Sequence, residues 1–199
     1  MEEARHTMKT ARMEAFSDGV LAIVITIMVL ELKVPHGSDL EALRPMVPVF
    51  LSYVLSFVYV GIYWNNHHHL LHATQEIGGG VMWANLVLLF CLSLVPVVTA
   101  WVGDNPHATW PTALYGVVLL LAGLAYVVLE RAIIAHEGPR SELAKAVGRT
   151  WKEKLSPVGY LLGIALAFVR PWLANLVYAG VALAWIVPDR RIEKRAHAA

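Results

Sequence analysis

The sequence predicts an all-α membrane protein with a single domain, and three observations support that fold class. Hydrophobic residues make up 57% of the 199-residue chain and charged residues only 16%, whereas soluble domains have about 45–50% and about 25%. Several apolar stretches approach or exceed the roughly 20 residues that a membrane-spanning helix needs. The basic residues gather between alternate stretches. Together these features exclude a disordered chain, a disulfide-stabilised miniprotein and an ordinary soluble enzyme.

Charge and cysteine content narrow the class further. The formal net charge is +1, and the only sustained basic run is the short C-terminal tail, which argues against a nucleic-acid-binding protein. Cys91 is the single cysteine, so the chain can form neither an intrachain disulfide nor a thiolate metal site.

Six apolar segments are predicted as membrane spans. Four of them carry no charge and are close to full length, whereas the segment between Lys154 and Arg170 is shorter. Gly19–Leu30 has only 12 uncharged residues, a length that also fits a signal-peptide core, but Glu31–Pro35 is not a small-residue cleavage site. We therefore predict that residues 1–199 form one six-helix transmembrane domain. Its spans are residues 9–34, 45–66, 77–103, 106–131, 154–169 and 171–188.

The distribution of basic residues predicts that both termini are cytoplasmic. With six spans, 13 Lys and Arg residues fall on the inner side and three on the outer side, as the positive-inside rule requires. A single long helix kinked at Pro171 would place the basic C-terminal tail outside. We therefore predict an outer turn at Arg170–Pro171. The polar stretch His136–Lys154 is expected to be a loop or a short amphipathic helix on the membrane surface.

The first span begins with the unusual run R-M-E-A-F-S-D-G over Arg12–Gly19. Asp18 stands where the apolar stretch starts, and an ionised group there is costly unless it is paired. Ser17 and Asp18 could serve as a helix cap, or they could belong to a polar network with Arg12. Because Arg12 and Asp18 are six residues apart, they do not share a helical face, and a pair between them would more easily bridge helices or subunits.

An apolar stripe continues along the same span. Ile23, Ile27 and Leu30 recur at the spacing of one helical face, and Thr26 lies beside them. The stripe could be a packing or lipid-facing surface. It could also line a pore, because rings of branched side chains gate conduction by excluding water.

A second polar patch ends the second span with the run Trp64-Asn65-Asn66-His67-His68-His69, followed by His72. Four histidines in six residues permit a metal site, but the H-E-x-x-H arrangement of zinc hydrolases is absent. We therefore predict no metal site. His67, His68 and His69 are expected to hydrogen-bond to other helices, as is Asn85 in the third span, where Pro96 predicts a kink.

The sequence contains no T-V-G-Y-G filter loop, no nucleotide-binding motif and no nucleophile elbow. Three of its segments instead resemble the transmembrane protein 175 family of endosomal and lysosomal potassium channels. These segments are the opening R-x-x-x-F-S-D-G, formed by Arg12, Phe16, Ser17, Asp18 and Gly19, the second-span ending Y-W-N-N-H-H-H and the third-span W-A-N-L…S-L-V-P. The resemblance covers about the first hundred residues.

The resemblance implies a six-helix repeat, present once in prokaryotic members, which form tetramers. It implies a pore lined by the first helix of each subunit, with Ile23, Ile27 and Leu30 as the constriction and Thr26 as a nearby hydroxyl. It also implies that Arg12, Ser17 and Asp18 hold that helix against its neighbours, and that potassium passes without a carbonyl filter.

The function predicted from these observations is passive conduction of potassium by a homotetramer in the lipid bilayer of a bacterial inner membrane, with other monovalent cations as candidate permeant ions. Such a channel is not an enzyme and needs no cofactor and no nucleic-acid partner. The alternative is a proton-leak channel or transporter that uses the His67–His72 patch. A membrane enzyme with a histidine-bound metal is the third possibility.

Overall fold

The computed structural model describes residues 2–138, 141, 143–144 and 151–186, and the regular structure in these residues is entirely helical. This agrees with the predicted fold class. A 3-10 helix, Leu40–Met46, precedes the second long helix. Within the described residues, the α-helices with defined bounds are α1 (Glu2–Leu30), α2 (Val47–His72), α3 (Gly79–Ser93), α4 (Val95–Asp104), α5 (Thr109–Glu137), α6 (Trp151–Ala167) and α7 (Pro171–Ile186).

The helical segments divide into long and short apolar ones. Within the described residues, four segments are long and apolar enough to cross a membrane, and α6 and α7 contribute the shorter apolar stretches Leu155–Ala167 and Pro171–Ile186. The protein is therefore a multi-pass membrane protein. The four long segments are Thr10–Leu30, Leu40–His72, Gly79–Asp104 and Thr109–Glu137.

The first two helices end at different residues from those predicted. α1 ends at Leu30 rather than at residue 34, and the Leu32 amide closes a turn on the Val29 carbonyl. Pro35 disfavours helical backbone at Val34, and the turn at Leu32 ends the helix before that residue is reached. α2 continues to His72, beyond the predicted residue 66, since neither glycine nor proline interrupts the histidine run.

The third predicted span is a bent helix in two parts. α3 ends at Ser93 and α4 begins at Val95, with Leu94 between them. Pro96, in the first turn of α4, has no amide hydrogen, so the helical ladder is interrupted one turn before it. The bend is the kink that Pro96 predicts.

α6 and α7 form an antiparallel hairpin rather than one long helix. The Arg170 amide hydrogen-bonds to the Leu166 carbonyl at 2.7 Å, and α7 starts at Pro171. Close packing of glycine against a large side chain joins the two helices, because a β-carbon on Gly163 would overlap the Tyr178 ring. Within the polar stretch His136–Lys154, residues 139–140, 142 and 145–150 lie outside the described residues, so the prediction of a loop or amphipathic helix there stays a prediction.

α5 is the central helix of the subunit and contacts α3, α4, α6 and α7. Three fully buried tyrosines tie this region together: the Tyr59 hydroxyl donates to the Tyr178 carbonyl at 2.7 Å, and the Tyr115 and Tyr178 rings lie 5.7 Å apart. α1 packs against α2, α3 and α4 at the edge of the bundle. This position leaves one face of α1 uncovered.

Candidate functional site

α1 has a covered face and an uncovered face. The uncovered face carries the apolar stripe, in which Ile23 is 59% exposed, Ile27 43% and Leu30 79%. Phe16, about two turns nearer the N-terminus than Ile23, is exposed as well. The residues on the covered face are Met13, Ser17, Leu21, Val24 and Met28.

Thr26 stands on the uncovered face beside the stripe. Its hydroxyl donates to the Ile23 carbonyl of the same helix at 2.9 Å. The hydroxyl hydrogen is therefore used within α1, while the oxygen keeps a lone pair free to face outward. Thr26 is the one hydroxyl side chain among the stripe's neighbours from Gly19 to Leu30.

Small residues also lie along the uncovered face of α1. Ala11, Ala15, Gly19 and Ala22 are all exposed, at intervals of three or four residues. A β-carbon on Gly19 would meet no atom within 4 Å. Small residues at this spacing let the backbones of membrane helices approach closely.

A buried chain of hydrogen bonds joins α1 to α3 and α2. Asn85 of α3 donates from Nδ2 to Ser17 Oγ at 3.0 Å, and Ser17 donates to the Met13 carbonyl at 2.8 Å. Asn85 Oδ1 lies 2.7 Å from His67 Nε2. The Met13 carbonyl oxygen and Asn85 Oδ1 can only accept, so each hydrogen bond in this series has one direction. His67 Nε2 therefore carries a proton that it donates to Asn85 Oδ1.

Asp18 is paired with a tryptophan rather than with Arg12. The Trp64 indole Nε1 of α2 donates to Asp18 Oδ1 at 3.0 Å. The Arg12 side chain is exposed, and none of the described residues forms an ion pair with it. Of the five motif residues, Ser17 and Asp18 thus contact neighbouring helices of the same subunit, whereas Arg12, Phe16 and Gly19 lie on the uncovered face.

A second α1–α2 contact lies one turn away. His68 Nδ1 is 2.7 Å from Glu14 Oε1. The His68 ring stacks near Trp64, at a centroid distance of 6.4 Å, and near His72, at 5.6 Å. His69 is exposed and touches the His68 ring edge-on. Among the described residues, no group of three possible metal ligands is close enough to hold a metal ion.

Glu14 and Trp64 are not among the partners predicted from the sequence, although a signal for them exists. Glu14 and Asp18 are four residues apart on α1, and Trp64 and His68 are four residues apart on α2. Two such pairs on adjacent antiparallel helices can meet as two parallel contacts. Finding them would have required the relative register of the two helices.

These contacts position α1 rather than perform chemistry. They hold its Ser17 face against α2 and α3, and they thereby fix the direction in which the Ile23 face points. Among the described contacts of α1, the arrangement presents an oriented apolar stripe and no nucleophile–base pair.

Comparison with known proteins adds family context to this geometry. The family model described as endosomal/lysosomal potassium channel TMEM175 matches residues 12–96. This range includes all the polar contacts that join α1 to α2 and α3. A potassium channel of Chryseobacterium sp. (strain P1-3) is 53% identical over 94% of this chain and 97% of its own length. A potassium channel of Streptomyces collinus is 32% identical over 88% of this chain and 90% of its own.

A solved structure is similar as well. The crystal structure of a lysosomal potassium-selective channel TMEM175 homolog from Chamaesiphon minutus matches with a TM-score of 0.76 and 29% sequence identity. The match covers 90% of this chain and 97% of that one.

Proposed function

Because this chain belongs to the TMEM175 family, we propose that it is a potassium-permeable channel in which ions cross passively along the first helix of each subunit. The observation that carries the proposal is the uncovered Ile23, Ile27 and Leu30 face of a helix whose opposite face is held by buried hydrogen bonds. Passive conduction requires neither a catalytic residue nor a cofactor. The chain is therefore proposed to be a channel and not an enzyme.

The proposed assembly is a homotetramer with α1 around its axis. One helix cannot enclose an aqueous path, so symmetry-related copies must supply the remaining walls. The exposed Ala11, Ala15, Gly19 and Ala22 support this arrangement, since small residues let helix backbones pack closely. A mass measurement in mild detergent should give four subunits, and a stable monomer or dimer alone would contradict the proposal.

The proposed constriction consists of stacked rings of Ile23, Ile27 and Leu30. An ion entering such a ring loses hydration and gains no protein ligand, so conduction and selectivity depend on the cost of partial dehydration. Potassium is dehydrated more easily than sodium and is therefore favoured. Thr26 offers the nearest hydroxyl oxygen. Either Thr26 or Ile27 is proposed to face the axis more directly.

In the proposed topology, six helices cross a bacterial inner membrane and both termini are cytoplasmic. The helices α6 and α7 then provide the fifth and sixth spans, joined by the outer turn at Arg170–Pro171. The polar contacts of Ser17, Asp18 and His68 lie near the cytoplasmic end of α1.

Proton leakage through the His67–His72 patch has weaker support. The hydrogen bonds that start at His67 end on the Met13 carbonyl, which has no proton to pass on. The patch lies at one end of α2, and the uncovered face of α1 carries no titratable side chain between Gly19 and Leu30.

The proposal is tested by reconstituting the purified chain in liposomes and imposing potassium, sodium and proton gradients separately. We expect a potassium gradient to drive the largest flux. Proton flux with no potassium flux would favour the alternative.

A further inference from the structure

A narrow cavity lies between α2, α5, α6 and α7. Its volume is about 50 Å³, and it is open on one side. Five aromatic side chains contribute to its wall, and no residue from the described part of α1 lines it. The aromatic lining residues are Tyr59, Tyr63, Tyr126, Tyr160 and Trp185.

The sequence explains why this space is not filled. Gly123 of α5 has no side chain, and a β-carbon placed there would lie 3.6 Å from the Tyr160 ring and 3.6 Å from the Tyr63 hydroxyl. These are ordinary van der Waals distances, so the site has room for at least a methyl group. On the opposite wall, Pro157 lies inside α6, where it removes a backbone hydrogen bond and disturbs the helix.

Several polar atoms around the cavity are already used by the protein. The Tyr126 hydroxyl donates to the Asn66 carbonyl at 3.1 Å, and the Trp185 indole donates to Ser156 Oγ at 2.8 Å. The surface left to a ligand is therefore mainly hydrocarbon and aromatic ring. Such a surface suits an apolar occupant rather than water or an ion.

The cavity lies toward one end of the bundle, where a basic side chain is exposed. Asn66 is near the end of α2, Ser156 near the start of α6 and Trp185 near the end of α7, which places all three in the proposed cytoplasmic half. Arg131 lies one helical turn beyond the lining residue Val127 on the same face of α5, and its side chain is exposed. A basic side chain at this depth attracts the headgroup of an anionic lipid.

We propose that the cavity binds a segment of one acyl chain of an anionic phospholipid from the cytoplasmic leaflet, with the headgroup near Arg131. A volume of about 50 Å³ favours part of a single linear chain over a bulky ring system. Lipid tails are as apolar as the wall, so the hydrophobic effect contributes little. The attraction comes instead from the dispersion contacts that an empty space would forfeit and from pairing of the lipid phosphate with the guanidinium.

This inference rests on the membrane location and the proposed topology of the chain, and not on its ion specificity. The test therefore uses a readout that does not depend on conduction. The full chain is reconstituted in vesicles that contain phosphatidylglycerol with a diazirine on one acyl chain. After irradiation, mass spectrometry identifies the labelled peptides, and we expect label on the α5 and α6 segments that line the cavity.

Substitutions at Gly123 separate cavity binding from general contact with lipid. Gly123→Leu fills the space and should lower the labelling of these segments several-fold. Gly123→Ala adds only a methyl group, fits without a clash and should lower labelling less. The matched control is Val128→Leu on the exposed surface of the same helix, which should leave the labelling unchanged.

The headgroup is tested with the same label on phosphatidylcholine and with Arg131→Gln. We expect phosphatidylglycerol to label the cavity segments more than phosphatidylcholine, and Arg131→Gln to remove the difference. If both Gly123 variants are labelled like the unmodified chain, the cavity does not hold an acyl chain and the proposal fails. Equal labelling by the two lipids would overturn the choice of an anionic lipid.

Discussion

Asn85 of α3 donates a 3.0 Å hydrogen bond to Ser17 of α1, and this buried contact fixes the rotation of α1 within the subunit. Ser17 belongs to the covered face of the helix, so the bond leaves Ile23 and Leu30 on the uncovered one. His67 extends the connection to α2. The side chains proposed to form the constriction are thus oriented by polar groups that lie outside it.

Asn85→Ala should destabilise the folded protein. The substitution leaves the Ser17 oxygen and the His67 Nε2 hydrogen without partners, and removal of one member of a buried pair costs about 1–3 kcal/mol. The measurement is thermal unfolding of the purified protein in detergent. Ser93→Ala on the same helix is the control, because the Ser93 hydroxyl bonds only to the Phe90 carbonyl of its own helix. Equal loss of stability in both variants would count against the role of Asn85.

The Asp18–Trp64 contact should behave as a hydrogen bond that links α1 to α2. Asp18→Asn keeps an oxygen that can accept from the indole and should retain most of the stability. Asp18→Leu and Trp64→Phe each remove one partner, and their double variant should lose less than the sum of the two single losses. Coupling between contacting residues is about 0.5–3 kcal/mol. Strictly additive losses would show that the two side chains do not interact.

The packing of α6 against α7 predicts a strong effect of Gly163→Ala. A β-carbon on Gly163 would overlap the buried Tyr178 ring, and overpacking of this kind costs about 1–3 kcal/mol. Gly180→Ala on α7 is the matched control, because a β-carbon there meets nothing within 4 Å. The denaturation temperature should fall for the first variant and stay near that of the unmodified chain for the second.

The proposed topology predicts the side from which three introduced cysteines react. In a Cys91→Ser background, Ser38→Cys and Asn105→Cys should react with an impermeant thiol reagent from outside sealed cells. Ala199→Cys should react only after the cells are opened. Labelling of position 199 in intact cells would overturn the six-span topology and with it an external turn at Arg170–Pro171.

The helical fold can be predicted from the sequence because each helix carries its own signal. Apolar length places the helices, Pro96 predicts the bend between α3 and α4, and the Arg170–Pro171 pair marks the turn between α6 and α7. The positions of helix ends are harder to predict from the sequence. The polarity of the histidines in α2 suggests an earlier end, but the helix continues through them because neither glycine nor proline stops it.

Long-range partners were harder to predict than helices. The sequence makes Arg12 a candidate partner of Asp18, because an acid in a membrane helix is expected to pair with a base. Asp18 instead accepts from the Trp64 indole. That choice depends on how α1 and α2 are aligned, which spacing within one helix does not reveal. The cavity beside Gly123 could not be predicted from the sequence for the same reason, since four helices contribute to its wall.

The measurement that most directly tests the central claim is potassium and sodium flux through liposomes that contain Ile23→Ala, Ile27→Ala or Leu30→Ala variants. Removing a bulky ring should widen and hydrate the path, so the account predicts higher flux and weaker discrimination between the two ions. Ile25→Ala, at a half-buried position of α1, and Leu124→Ala, at an exposed position of α5, are the controls and should conduct like the unmodified chain. If the α1 stripe variants and these controls behave alike, the stripe faces lipid or protein and does not line the pore.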